Sequence, residues 1–188
     1  MPATTKVSKA TQAAKVLVIG AGAKATIGDR ERAAIAKHAT CTALSLTGVV
    51  VADLSCVTAL PKLQSLELYR TRIADWSALA KVTTLRELFI NGIRDPEALG
   101  AISSLTRLVE LSILHLPTLT ALPDLSRLTS LRSLRLWSCK RLADVTALAK
   151  LPARCTVDTL AIPVSDEDID AIRTPPQRSK VVKSTKRR

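Results

Sequence analysis

Rings are almost missing from this chain. Tyr69, Trp76, Phe89 and Trp137 are the only aromatic residues among 188, about 2%. An interior so poor in rings has to be built from many similar aliphatic layers, which points away from an ordinary globular enzyme. Long apolar runs are missing as well. None approaches the roughly 18 residues of a membrane span, so a transmembrane helix is excluded and no membrane partner is expected. The opening, MPATTKVSKATQAAK, is polar, and the VLVIG after it is too short for a secretory signal. Four cysteines, spaced 15, 83 and 16 apart, make no CxxC pair and no disulfide framework. That usage predicts a reducing, cytoplasmic compartment.

Aliphatic residues are abundant instead: 28 leucines and 26 alanines. The leucines are periodic. The motif L-x-x-L-x-L recurs at Ala14–Leu17–Ile19, Cys41–Leu44–Leu46, Leu63–Leu66–Leu68, Leu85–Leu88–Ile90, Leu108–Leu111–Ile113, Leu131–Leu134–Leu136 and Val157–Leu160–Ile162. Its central positions lie 27, 22, 22, 23, 23 and 26 apart. Between copies a three-residue rhythm continues, as in Leu79, Val82, Leu85 and Leu88. Regular inner units flanked by longer outer gaps are what a solenoid with modified caps shows.

These copies resemble the leucine-rich-repeat family, in its short class of about 22 residues seen in bacterial internalins. The resemblance covers residues 14–172. It implies an α/β solenoid: a curved parallel sheet on the concave side, short helical turns on the convex side and helical caps. The family's usual Asn after each strand is absent. Its column here reads Val49, Thr71, Ile93, Leu116, Cys139 and Ser165, of which only Thr71, Cys139 and Ser165 can donate to the loop backbone.

A second column holds Asp53, Asp75, Asp95 and Asp144, with Thr118 in the fifth unit. Ser55, Ser77, Glu97, Thr120 and Thr146 follow two residues later. Four repeated acids look at first like a catalytic or metal set. In a solenoid, one column is repeated scaffold, and these side chains are expected to accept from free backbone N–H groups and start the convex turns. For the caps, residues 28–39 should form a short helix. Ser165 before Asp166, Glu167 and Asp168 reads as a helix start, with Ile169 and Ile172 folded over the last leucine layer.

Several motifs tempt and then fail on context. Gly20, Gly22 and Ala25 have the G-x-G-x-x-A spacing, but no acidic residue ends the next strand, so a tight turn is expected rather than a nucleotide site. Cys56 occupies a small-residue slot, and Cys155 aligns with Pro61, Thr83, Thr106 and Thr129. With only His38 and His115 to join the cysteines, no metal site is expected. His115 and Ser138 fall in one column of neighbouring strands about 4.8 Å apart. No glycine elbow or oxyanion hole accompanies them, so neither catalytic residues nor a cofactor is predicted.

The net charge is +12, unevenly spread. Arg173 to Arg188 holds seven basic residues and no acidic one, and Lys6, Lys9 and Lys15 add three at the other end. The remainder balances at 18 basic against 16 acidic. The expected division is a polar segment, 1–13, the solenoid with its caps, 14–172, and a basic, flexible tail, 173–188.

Strand alternation selects the working surface. With the leucines inward, the outward rows read Ser45, Glu67, Phe89, Ser112, Arg135 and Thr47, Tyr69, Asn91, Leu114, Trp137. Glu87 and Glu110 flank them on one side, Arg70 and His115 on the other. Three of the four aromatics thus face outward, where packing does not require them. The expected partner-binding set is Glu67, Tyr69, Arg70, Glu87, Phe89, Asn91, Glu110, Leu114, His115, Arg135 and Trp137, with a solvent-facing ring patch at its centre. The function so implied is a non-enzymatic protein-binding adaptor or inhibitor. Codon-driven richness in Ala, Leu and Arg suggests a bacterial source, and the size suits an immunity protein. The alternative is a nucleic-acid-associated protein anchored by its basic tails, which basic residues on the repeat body would favour.

Overall fold

The computed structural model describes residues 6–7, 16–93 and 96–174. Among these, nine strands form one sheet. Its main path runs β1 (Lys6–Val7), β2 (Val16–Ile27), β3 (Ala43–Asp53), β4 (Ser65–Tyr69), then past β5 (Arg72–Asp75) to β6 (Glu87–Asn91), β7 (Glu110–Leu114), β8 (Ser133–Trp137) and β9 (Thr156–Leu160). β5 pairs instead with the outer half of β3. All pairings are parallel except that of β1 with β2.

The register follows from the leucines. Leu17, Leu44, Leu66, Leu88, Leu111 and Leu134 stand side by side across the strands, all buried. A second buried row holds Ile19, Leu46, Leu68, Ile90, Ile113 and Leu136. On the convex side the three-residue rhythm becomes a short helix, α2 (Ser55–Thr58), and 3₁₀ turns at Ser77–Lys81, Pro96–Ser104 and Thr146–Lys150. A 3₁₀ turn has three residues per turn, so leucines three apart line one edge and enter the core. One helix stands in the first unit and another follows the last strand. Before β3 lies α1 (Asp29–Ala36), where the Glu31 carboxylate accepts the Gly28 N–H at 3.0 Å and Ile35 is buried. After β9 comes α3 (Asp166–Arg173), with Ser165 Oγ accepting the Asp168 N–H at 3.2 Å and Ile169 buried.

The missing asparagine is replaced in two units. Thr71 Oγ1 donates to the carbonyls of Leu46 and Tyr69 at 2.9 and 3.2 Å. Cys139 Sγ reaches those of Ile113 and Trp137 at 3.7 and 3.6 Å. Ser165 does not belong to this column. It caps α3, and the register puts Ile162 in that slot.

One backbone column is left-handed in every inner unit. The residue ending each strand's turn is Gly48, Arg70, Gly92, His115, Ser138 or Ala161, with φ between 48° and 69°. Each L-residue there carries a steric penalty of roughly 1–2 kcal/mol. Ala161→Gly should therefore stabilise the fold by up to about 1 kcal/mol, after allowance for the freer unfolded chain. Gly92→Ala should do the reverse, since a Cβ there meets Arg70 Cγ at 3.1 Å. Denaturant melts of the two variants check this; equal shifts of one sign would contradict it.

Four expectations are corrected. The last motif is not Val157–Leu160–Ile162: Leu134 pairs with Val157 and Leu136 with Thr159, so Leu160 stands beside Trp137. Cys155 takes the first-leucine slot, its N–H bonding Pro152 O at 2.8 Å as Leu131 bonds Leu128. In the fifth unit Ala121, not Thr118, aligns with Asp144, and the Asp–Ser turn moves to Asp124 and Ser126. Gly20 to Ala25 is no tight turn; β2 runs through it with a break in register.

Candidate functional site

Asp53, Asp75 and Asp144 hold the convex turns. Each accepts the N–H two residues on, from Ser55 at 2.7 Å, Ser77 at 2.8 Å and Thr146 at 2.9 Å. Asp95 and the side chain of Glu97 lie outside the described residues. Hydrogen bonds from Ser55 hold the Asp53 carboxyl below its ordinary value, aided by the Arg32 guanidinium 3.3 Å away. Bonds from Ser126 and Thr146 do the same for Asp124 and Asp144. A lowered folded value gives stability that is present above the unfolded carboxylate range near about 3.9 and is lost as pH falls through the lowered values. The melting midpoint should drop below about pH 4. Changing Asp53, Asp124 and Asp144 together to Asn should flatten that drop; an unaltered acid slope would assign it to other carboxylates.

The four cysteines are free and buried. Burial pushes the Cys56 thiol up to about 11 and raises Cys139 and Cys155 as well. These thiols are protonated at neutral pH and serve as small apolar fillers. His115 and Ser138 occupy neighbouring left-handed positions, and no hydrogen bond joins them. Among the described residues no group of three or more His, Cys, Asp or Glu side chains could hold a metal ion.

The concave sheet face brings the expected binding residues together. Its first outward row runs Ser45, Glu67, Phe89, Ser112, Arg135 and Asp158, each paired with the next. The second runs Thr47, Tyr69, Asn91, Leu114, Trp137 and Leu160. Glu87 pairs with Glu110 at the strand starts. Like charges so placed repel, and neither carboxylate has an ion-pair partner among the described residues. Glu67 and Arg135 are exposed and unpaired too. The Arg70 guanidinium lies 5.3 Å from the Tyr69 ring centre, a cation–π distance.

The ring patch is flatter than expected. Leu114, between Asn91 and Trp137, is only 7% exposed, and Ser112, between Phe89 and Arg135, is 6% exposed. Phe89, paired with Ser112, and Trp137, paired with Leu114, are half-buried. Trp137 Nε1 is enclosed without a hydrogen-bond partner. The missed residue is Leu160. It is 57% exposed, the largest apolar side chain left to solvent among the described residues, and it extends the Phe89–Leu114–Trp137 strip to the sheet's last strand. Asp158 beside Arg135 was missed with it. The pairing of Trp137 with position 160 was available only from a 23-residue spacing, which the leucine pattern obscured.

The fold and its repeat register are those of a leucine-rich-repeat solenoid. Among solved structures the chain is similar to an internalin from Listeria monocytogenes, at 24% identity and a TM-score of 0.53. That match covers 86% of this chain and 52% of the other, so the chain spans about half the internalin's length. No protein-family model matches the chain. No curated protein matches it either. Among the described residues no helix is long and apolar enough to cross a membrane.

Proposed function

We propose that this chain is a non-enzymatic protein-binding module, an adaptor or an immunity-type inhibitor, that grips its partner through the concave sheet. The carrying observation is the strip of Phe89, Leu114, Trp137 and Leu160, which ends in a leucine 57% exposed. Exposed apolar surface costs about 25 cal/mol per Å² against burial, so a leucine held open on a sheet is material for an interface. Unpaired Glu67, Glu87 and Glu110 beside the strip ask for basic groups on the partner. Arg135 and Asp158 offer both signs at the far end. Four reduced, buried cysteines support a cytoplasmic setting.

The test uses full-length protein as bait in an extract of native cells, against Leu160→Ser and Trp137→Ala baits. One protein should be retained by the wild type and depleted roughly tenfold or more by both variants. Identical retained sets for all three baits would remove the concave sheet from consideration.

A further inference from the structure

A second charged surface lies on the solenoid's flank, at the edge where the strands begin. Arg86, Val109 and Arg132 stand there in one column: the Val109 N–H donates to Arg86 O at 2.7 Å, and the Arg132 N–H to Val109 O at 2.8 Å. Arg107, Ser130 and Arg154 come just before Leu108, Leu131 and Cys155 and make a second column. Four consecutive repeats therefore give one arginine each, alternating between the columns. Neighbouring strands in a sheet lie about 4.8 Å apart, so the four start close together. Their side chains converge. Arg86, Arg107, Arg132 and Arg154, with Val109 and Ser130, line an open concavity of about 310 Å³.

All four arginines are exposed, and none is in an ion pair among the described residues. Arg154 is tethered by one guanidinium N–H donated to Thr129 O at 3.0 Å, which leaves its other donors free. The adjoining hollow, which shares Arg154, is different. Its other cation, Lys150, is neutralised by Asp124 at 3.2 Å. No acidic side chain lines the arginine concavity. Glu87 and Glu110 begin nearby strands, yet among the described residues neither pairs with an arginine. Four like charges held around one small volume repel one another, and an anion placed among them relieves that repulsion.

We propose that this ledge is a binding site for a short phosphoryl chain, either an inorganic oligophosphate or the phosphates of a free nucleotide, apart from the concave protein face. Charge density selects the ligand. A phosphoryl group brings about one to two charges at a single centre, so a few of them balance four guanidiniums in so small a volume. A peptide brings one carboxylate per residue, together with that residue's backbone. Guanidinium forks also match phosphate oxygens bidentately, and one arginine per repeat suits phosphates in series. No aromatic side chain lines the concavity, so a nucleoside base finds no stacking surface there.

The test is isothermal titration of the full-length protein with inorganic tripolyphosphate at one fixed salt concentration. Arg86→Gln combined with Arg132→Gln should weaken binding roughly tenfold or more. Arg86→Lys combined with Arg132→Lys should recover part of that loss, because charge returns without the fork. Arg127→Gln combined with Arg141→Gln removes the same charge from exposed positions outside the concavity and should leave the affinity unchanged. All the variants should melt alike without ligand, since every altered side chain is exposed. ATP should bind within about threefold of tripolyphosphate, as its base gains no contact. Tricarballylate, with carboxylates on a short chain, should bind roughly tenfold more weakly or worse. Unchanged affinity in the Arg86 and Arg132 Gln variant, or an equal loss in the Arg127 and Arg141 variant, would overturn the site, since binding would then follow net charge. Tricarballylate binding as tightly as tripolyphosphate would overturn phosphoryl groups as the ligand. ATP binding far more tightly would require a base contact that this concavity does not offer, and would move the site elsewhere.

Discussion

Leu111→Ala should destabilise the fold by roughly 2–5 kcal/mol, and Leu17→Ala by clearly less. Both leucines are buried, at 1% and 2% exposure, so fractional exposure does not separate them. Their neighbours do. Leu111 lies in register between Leu88 and Leu134, in the middle of the sheet. Among the described residues Leu17 has a row partner, Leu44, on one side only; β1 pairs with β2 further along, at Ile19 and Gly20. A cavity at Leu111 is walled by two close-packed layers that cannot collapse onto it. One at Leu17 has such a layer on one side only among the described residues, so its surroundings can collapse further. Urea melts at constant slope would measure the difference. Equal or reversed losses would count against a core built from stacked identical rows.

The inner repeats were legible because each buried leucine is fixed twice, by its own strand and by both neighbours. Leu66, Leu88, Leu111 and Leu134 therefore keep their spacing. The last unit was not legible for the same reason. In the last unit no further strand demands a leucine, so the core slots fall to Cys155, Val157 and Thr159, while Leu160 lands outside. Matching on leucine then slides the motif three residues and predicts a buried residue where there is an exposed one. Thr159 survives in a core slot because its hydroxyl donates to Asp166 of the cap at 2.7 Å. The fifth unit was misread in the same way. Three-residue turns make every shift of three look alike, and only the pairing of Ala121 with Asp144 breaks the tie.

The candidate face was legible in its membership as far as β8, and not in its last strand or its relief. Alternation along a strand sorts Glu67, Phe89, Arg135 and Trp137 outward. It says nothing about lean. Ser112 and Leu114 are buried although they stand on outward rows, beside Phe89 and Trp137.

Relief decides how the concave site should be tested. Trp137→Ala should weaken partner binding by about 2–4 kcal/mol, the range of an interface anchor. It should also lower stability, because it uncovers Leu114 and removes packing around a half-buried indole. Part of that loss is offset, since Trp137 Nε1 is an enclosed donor without a partner, a defect that costs roughly 1–3 kcal/mol in the native state. Leu160→Ser separates the two effects. At 57% exposure its side chain is mostly in solvent, so the melting midpoint should stay within a degree or two of wild type. Affinity for the captured partner should still fall at least tenfold if the strip is the contact, because Leu160 is where the strip is most open. Tyr69→Phe, which keeps the ring under Arg70, should change neither quantity much. Each variant is titrated against the captured partner and melted alone. A Leu160→Ser protein that binds normally, beside a Trp137→Ala protein that binds weakly only as it unfolds, would make the aromatics structural and place the partner elsewhere.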